Sequence, residues 1–334
     1  MDTVSVVLPT YDRGEFIDGA IQSVLEQTYE NIECIVVADK PTEAVREYLE
    51  SITDERVRVL IHEEKQGLSK ARNVGIEAAT GKYVCFLDDD DRLYEDAVQT
   101  LVEEIQAQPA DCAGVFPAGK EIGRERRYTV PENQVTLENY EQRPWIPPTG
   151  MLLKKSIFNQ AGTFDESFPT VEDTDLWLRI VAVSFLVGVP QILYEKHYHE
   201  AQLTKNHVLM LRGYQRLLEK HGHRLSDSYL SLLHRQIAIR YGEIGNVAAA
   251  RKHLKTACKY NLFDKANLFY RVWLCSEQRA FGLAGQSTHR STTNSASESM
   301  SVAQKHRPLR PNTNRRNEGV CLHEADSPKR EQMR

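Results

Sequence analysis

Residues 83–91 read Tyr-Val-Cys-Phe-Leu-Asp-Asp-Asp-Asp, an apolar run that ends abruptly in four carboxylates. Tyr83–Leu87 has the composition of a strand buried on both faces. Four adjacent aspartates at the end of such a strand repel one another, and any burial penalises their charge. A bound cation relieves both costs, and oxygen-only ligands select a hard ion such as Mg²⁺ or Mn²⁺. The carboxyl ends of strands are also where ligands bind in open α/β sheets. The competing explanation is a solvated acidic turn ahead of a helix beginning near Glu95.

The same strand signature recurs towards the N-terminus, separated by helical stripes. Val4–Leu8, Ile32–Ala38 and Val57–Ile61 are further buried strands. Between them, Phe16, Ile17, Ala20, Ile21, Val24 and Leu25 form one helical face, Thr42–Ser51 a second helix opened by Pro41, and Leu68–Ala79 a third. This alternation predicts a mostly parallel sheet with helices on both faces. Beyond Asp91 the pattern loosens. A helix is expected over Glu95–Ala107, an apolar stretch over Cys112–Pro117, and an irregular segment over 119–148, which holds Pro131, Pro144, Pro147 and Pro148. Met151–Leu153 and Val187–Tyr194 read as strands and Asp173–Val183 as a helix. From about His207 the chain is helical. Ile237, Ala238, Tyr241, Gly245, Ala250, Leu254 and Ala257 have the spacing of one tetratricopeptide-like hairpin, or of a generic helical one. The expected division is a catalytic domain over 1–205, a helical extension over 206–285 and a disordered tail over 286–334.

Charge and cysteine usage narrow the function. Residues 286–334 hold 9 basic and 5 acidic side chains, so the −5 of the whole chain leaves the first 285 residues at −9. An acidic body argues against nucleic-acid binding. The 6 cysteines are scattered with no C-x-x-C pair, which suggests neither a zinc site nor a disulfide framework. No signal-peptide pattern opens the sequence, and Ile180–Val189 falls short of the roughly 20 apolar residues of a membrane span. A cytoplasmic protein is expected, with peripheral contact at the inner membrane face left open.

Three further motifs bear on chemistry. Val6–Arg13 reads V-V-L-P-T-Y-D-R, placing a hydroxyl and an aromatic ring at the sheet's carboxyl edge, with no G-x-G-x-x-G to suggest a dinucleotide turn. Gly67–Ile76 reads G-L-S-K-A-R-N-V-G-I, a helix start whose Lys70 and Arg72 can meet an anionic diphosphate beside a favourable dipole. Glu172–Arg179 reads E-D-T-D-L-W-L-R. Its acidic first turn complements a helix dipole, and one of its carboxylates is a candidate general base.

Taken together and in order, S-V-V-L-P-T-Y-D-R, G-L-S-K-A-R-N-V-G-I, F-L-D-D-D-D and E-D-T-D-L-W-L-R resemble family 2 of the glycosyltransferases, over roughly residues 3–205. The resemblance implies a GT-A fold and an inverting transfer from a nucleotide-diphosphate sugar to an acceptor hydroxyl, in polysaccharide, lipid-linked oligosaccharide or glycoprotein glycan assembly. It implies that Pro9, Tyr11 and Asp39 line the nucleoside pocket and that Arg72 approaches the nucleotide. It makes Asp88 and Asp90 the D-x-D pair, with Asp90 the direct ligand of Mn²⁺ or Mg²⁺, Asp173 the base and Glu172 its neighbour at the acceptor. His199 would lie near the diphosphate or metal, with His197 unassigned. The sequence departs from the family's D-D-G-S-T-D after the second strand. Ala38–Glu43 reads A-D-K-P-T-E and keeps only Asp39 and Thr42, which leaves the nucleotide open. Two rival readings remain: a sugar-nucleotide nucleotidyltransferase, and a non-catalytic scaffold binding partners through the helical hairpin.

Overall fold

In a computed structural model, residues 2–11, 14–122, 126–130, 134–141, 146–199, 202–262, 264 and 266 are described. The chain divides into compact units Met1–Leu283 and Ala284–Arg334, and all described residues fall in the first. The expected tail over 286–334 lies outside them.

The N-terminal half follows the alternation read from the sequence. Its elements are β1 (Val4–Thr10), α1 (Gly14–Leu25), β2 (Ile32–Asp39), α2 (Glu43–Glu50), β3 (Val57–His62), α3 (Leu68–Ala78) and β4 (Tyr83–Phe86). Next come β5 (Asp91–Leu93), α4 (Ala97–Ala107), β6 (Cys112–Ile122), β7 (Arg126–Tyr128), β8 (Gln134–Val135), α5 (Leu137–Tyr140) and β9 (Leu152–Lys154). The chain continues through α6 (Phe158–Ala161), α7 (Glu172–Val181), β10 (Phe185–His197), α8 (His207–His221), α9 (Asp227–Glu243) and α10 (Val247–Tyr260). The sheet runs β3-β2-β1-β4-β9-β6-β10-β5, with β7 on β6 and β8 on β10. Strands β1 to β4 pair in parallel, as do β6 and β10, whereas β5, β7, β8 and β9 pair antiparallel.

Burial explains the elements. Every residue of β1 is buried, so its β-branched run needs no polar face. Ile17, Ala20, Ile21 and Val24 lie on one side of α1 and join a core that covers one face of the sheet. A second core on the other face unites Val7, Phe86 and Ala71 with Trp177 of α7, and also with Leu217 of α8 and Tyr229 and Leu233 of α9. Helices α8 and α9 therefore share a core with α7. Helices α9 and α10 form a hairpin that turns at Gly245 (φ +80°) and packs Ala238 against Ala250 and Leu254.

Two expectations are corrected. The acidic turn after Leu87 gives way at Asp91 to strand β5, because Asp91–Leu93 finds an antiparallel partner in Tyr194–Lys196. The segment 119–148 is less irregular than its prolines suggest. Strand β6 runs on to Ile122 beside β10, and β7, β8 and α5 also lie in that range. Cys34 and Cys85 are buried free thiols. No helix among the described residues is long and apolar enough to cross a membrane.

Candidate active site

The carboxyl ends of β1, β2 and β4 border a cavity of about 380 Å³, lined by Pro9, Tyr11, Asp39, Asp88, Asp90 and Lys196 among others. Tyr11 is 44% exposed there, and the Lys65 ammonium sits 3.7 Å from the centre of its ring. Asp39, at the end of β2, accepts hydrogen bonds from the backbone N–H groups of Gln66 (2.7 Å) and Gly67 (2.8 Å), and its Oδ1 lies 3.1 Å from His62 Nδ1. The family resemblance implies that Asp39 lines the nucleoside pocket. The fold places Asp39 at the cavity but also uses both its oxygens to pin the loop that leads into α3. Gly67, at φ +94°, makes that turn.

The four aspartates separate into two kinds. Asp89, buried, accepts from the Thr10 hydroxyl at 2.7 Å and so ties the end of β1 to the acidic loop. Asp91, 1% exposed, accepts from the Thr149 hydroxyl (2.6 Å), from Lys196 Nζ (3.3 Å) and from the His197 N–H (3.3 Å). Burial pushes the Asp91 carboxyl up to about 7, with Lys196 opposing the shift and Asp88 and Asp90 adding to it. Asp88 instead accepts from Arg72 Nη2 at 2.7 Å, and Asp90 Oδ2 meets His199 Nε2 at 2.7 Å. One oxygen each from Asp88, Asp90 and Asp91 lies within 4.8 Å of the others. Three converging carboxylates in a partly desolvated loop are a donor set suited to a hard divalent cation.

Arg72 differs from expectation. On α3 the spacing Ser69, Arg72, Gly75, Ile76 faces inward, and Arg72 is 1% exposed. Its two terminal nitrogens bridge Asp88 and Glu172, the latter at 2.6 Å. Burial opposes the guanidinium's charge, but Asp88 and Glu172 outweigh it and hold the group firmly cationic. The helical period of 3.6 could have shown that Arg72 shares a face with buried Ile76. Lys70 points elsewhere and pairs with Glu166 at 3.3 Å.

Glu172 and Asp173 open α7 and are not among the residues lining the cavity. Arg72 connects them to it. Asp173 Oδ1 accepts from the N–H of Thr174 at 2.6 Å. Burial, and then the neighbouring Glu172 charge, push the Asp173 carboxyl up to about 7, against a partial offset from Arg72. A carboxylate near neutrality is suited to take a proton. His199 stacks on Phe16 with ring centroids 5.2 Å apart. His197 serves the cluster through its backbone, and its buried Nδ1 has no partner among the described residues. Sequence reading passed over Lys65, Lys196 and Thr149. Of these, only Lys196 left a signal, as a lone cation in the apolar strand β10.

Residues 5–164 match the family described as Glycosyl transferase family 2. Glycosyltransferase GlyG of Streptococcus pneumoniae serotype 4 is 32% identical over 177 residues, covering 48% of this chain and 59% of that protein. Uncharacterized glycosyltransferase EpsJ of Bacillus subtilis is 34% identical over 186 residues, covering 51% of this chain and 54% of that protein. The chain thus spans little more than half the length of these curated relatives. Among solved structures, S. aureus TarS 1–349 in complex with UDP-GlcNAc superposes with a TM-score of 0.58 at 17% identity, covering 76% of this chain and 81% of that one. Mannosyltransferase PcManGT from Pyrobaculum calidifontis, in complex with GDP-Man and Mn²⁺, gives 0.50 at 18% identity, covering 87% and 88%. These likenesses establish a shared fold. The match over residues 5–164 identifies that part of the chain as a family 2 glycosyltransferase domain, and the solved structures share its GT-A fold.

Proposed function

We propose that the protein transfers a sugar from a nucleotide-diphosphate donor to an acceptor hydroxyl with inversion at the anomeric carbon. The observation that carries this reading is the Arg72 bridge, which joins an oxygen-rich carboxylate cluster to Glu172, the neighbour of an Asp173 carboxyl of raised basicity. Tyr11 offers an exposed face for a base, and Asp39 marks the inner end of the nucleoside pocket beside Pro9. Asp88 and Asp90, with Asp91 behind them, would hold a divalent ion, and His199 orients Asp90. Such an ion, when bound, supplies Lewis-acid charge to the departing diphosphate. Lys196 and Lys65 line the same cavity and add positive charge to it. Asp173 takes the proton of the acceptor hydroxyl as that oxygen bonds to the anomeric carbon and the bond to the diphosphate breaks. No covalent sugar–enzyme intermediate is required.

The complexes of related folds with UDP-GlcNAc and with GDP-Man and Mn²⁺ support a nucleoside diphosphate in the cavity and a divalent ion beside it. The acceptor is a glycan or a lipid-linked saccharide, and peripheral contact with a membrane face would suit the latter. The test is donor turnover across a panel of nucleotide sugars with Mn²⁺ or Mg²⁺. Release of a nucleoside diphosphate, lost in Asp173→Asn and Asp90→Ala, supports the proposal. Release of pyrophosphate would identify a nucleotidyltransferase. No metal-dependent binding or turnover of any donor would leave the scaffold reading.

A further inference from the structure

Val171 immediately precedes the Glu172–Asp173 pair and sits at φ +56°, ψ +24°. A β-branched residue avoids the left-handed region, and such a conformation persists only where its surroundings impose it. Helix α8 supplies those surroundings. The Thr170 hydroxyl, 2% exposed, donates to the Leu209 carbonyl of α8 at 3.1 Å. One turn further along α8, Gly213 packs directly on the same segment. A methyl group there would overlap Thr170 Oγ1 and lie 2.6 Å from the Thr170 carbonyl oxygen and 3.0 Å from Val171 Cγ2. At its far end, α8 holds the other side of the base. Asp175, fully buried, pairs with His221 Nε2 at 2.7 Å and Lys220 Nζ at 2.8 Å. The helix therefore grips α7 both before and after Asp173.

We infer that α8 is a positioning element for the reaction, with Thr170 and Gly213 as positioning residues that hold Val171 left-handed and so aim the Asp173 carboxylate. This rests on the assignment of Asp173 as the base. Alanine is the better helix former, so Gly213→Ala should not weaken α8 itself, and any defect reports the contact with Thr170 and Val171. Thr170→Val keeps the side-chain shape and removes only the hydroxyl.

The experiment measures kcat, donor affinity in the presence of Mn²⁺, and melting temperature for the full chain and for both variants, with Asp173→Asn alongside. A displaced base lowers kcat by between about 10-fold and 100-fold. Donor affinity stays within about twofold, because neither residue lines the donor cavity. Should Gly213→Ala fail to fold, Thr170→Val decides alone. A kcat within twofold of the native protein in the folded variants overturns the inference, as does a kcat loss matched by an equal loss of donor affinity. If those variants turn over normally while Asp173→Asn is inactive, the positioning role falls and the base assignment survives. If Asp173→Asn itself turns over normally, the base assignment falls and takes the positioning role with it.

Discussion

Arg72 and Glu172, 100 residues apart in the chain, meet through a 2.6 Å bond from Nη1 to Oε1 in the protein interior. The other terminal nitrogen of the same guanidinium is committed to Asp88. One buried cation thus ties the acidic loop after β4 to the first turn of α7. The donor side and the acceptor side of the proposed reaction are held at a fixed separation by a single planar group.

Removing that group leaves Glu172 and Asp88 without their shared counter-charge. Breaking a buried ion pair by deleting one partner costs about 3–5 kcal/mol. Arg72→Ala should lose stability of that order in urea unfolding. Arg72→Lys should recover only part of it, since an ammonium cannot span both carboxylates as a fork does. A loss below about 1 kcal/mol would show that the bridge is not needed for the fold.

The raised Asp173 carboxyl has two consequences with pH. As a base it must be ionised, so kcat should climb as pH rises through about 7 and then level off. In stability the sign is reversed. The folded state binds this proton more tightly than the unfolded state, so the charge costs stability increasingly between about pH 4 and pH 7. Asp173→Asn, inactive, should therefore match the native protein near pH 4 and exceed it at pH 8 by about 2–4 kcal/mol, at about 1.4 kcal/mol for each pH decade. Parallel melting curves at the two pH values would contradict this.

Asp175 behaves in the opposite way. Burial alone would raise its carboxyl, but His221, Arg179 and Lys220 outweigh burial and hold it down at about 2. Its contribution is complete above the ordinary carboxylate range and is lost as pH falls towards 2. Asp175→Asn should cost about 3–5 kcal/mol at pH 7. The gap to the native protein should narrow on acidification below pH 4, as followed by thermal unfolding.

Asp90 and Asp89 are neighbours with different tasks, and substitution should separate them. Asp90→Ala removes a carboxylate that lines the cavity and belongs to the cation cluster. It should abolish the Mn²⁺-dependent rise in melting temperature expected of the native protein with a nucleotide sugar. Thr10→Val removes the hydroxyl that Asp89 accepts from. It should lower stability by about 1–3 kcal/mol while leaving that Mn²⁺ response in place. Equal metal responses in the two variants would refute the division of labour.

Tyr11 is exposed for an aromatic at a strand end, with Lys65 over its ring. Stacking of a base on an aromatic is worth about 1–3 kcal/mol. Tyr11→Ala should weaken donor binding by about 5- to 100-fold, measured by titration calorimetry, with little change in kcat. An unchanged affinity would place the base elsewhere.

Much of this molecule was legible in its sequence. The buried runs Val4–Leu8, Ile32–Ala38 and Tyr83–Leu87 and the helical stripes between them specify a parallel sheet, because each period reports only which faces a segment must bury. The acidic run then falls at the carboxyl edge by connectivity alone, and Pro9, Tyr11 and Asp39 arrive there by the same rule. Which of the aspartates face the cavity was a different question. Asp88, Asp89, Asp90 and Asp91 are identical in composition, and their roles come from partners at Arg72, Thr10, His199 and Thr149, the last three 79, 109 and 58 residues away from theirs. Local patterning carries no information about such partners. The inward turn of Arg72, the strand at Asp91 and the left-handed Val171 beneath α8 were likewise settled by tertiary packing. Only packing brings distant charges and helices close enough, in surroundings dry enough, for their interactions to outweigh local preference.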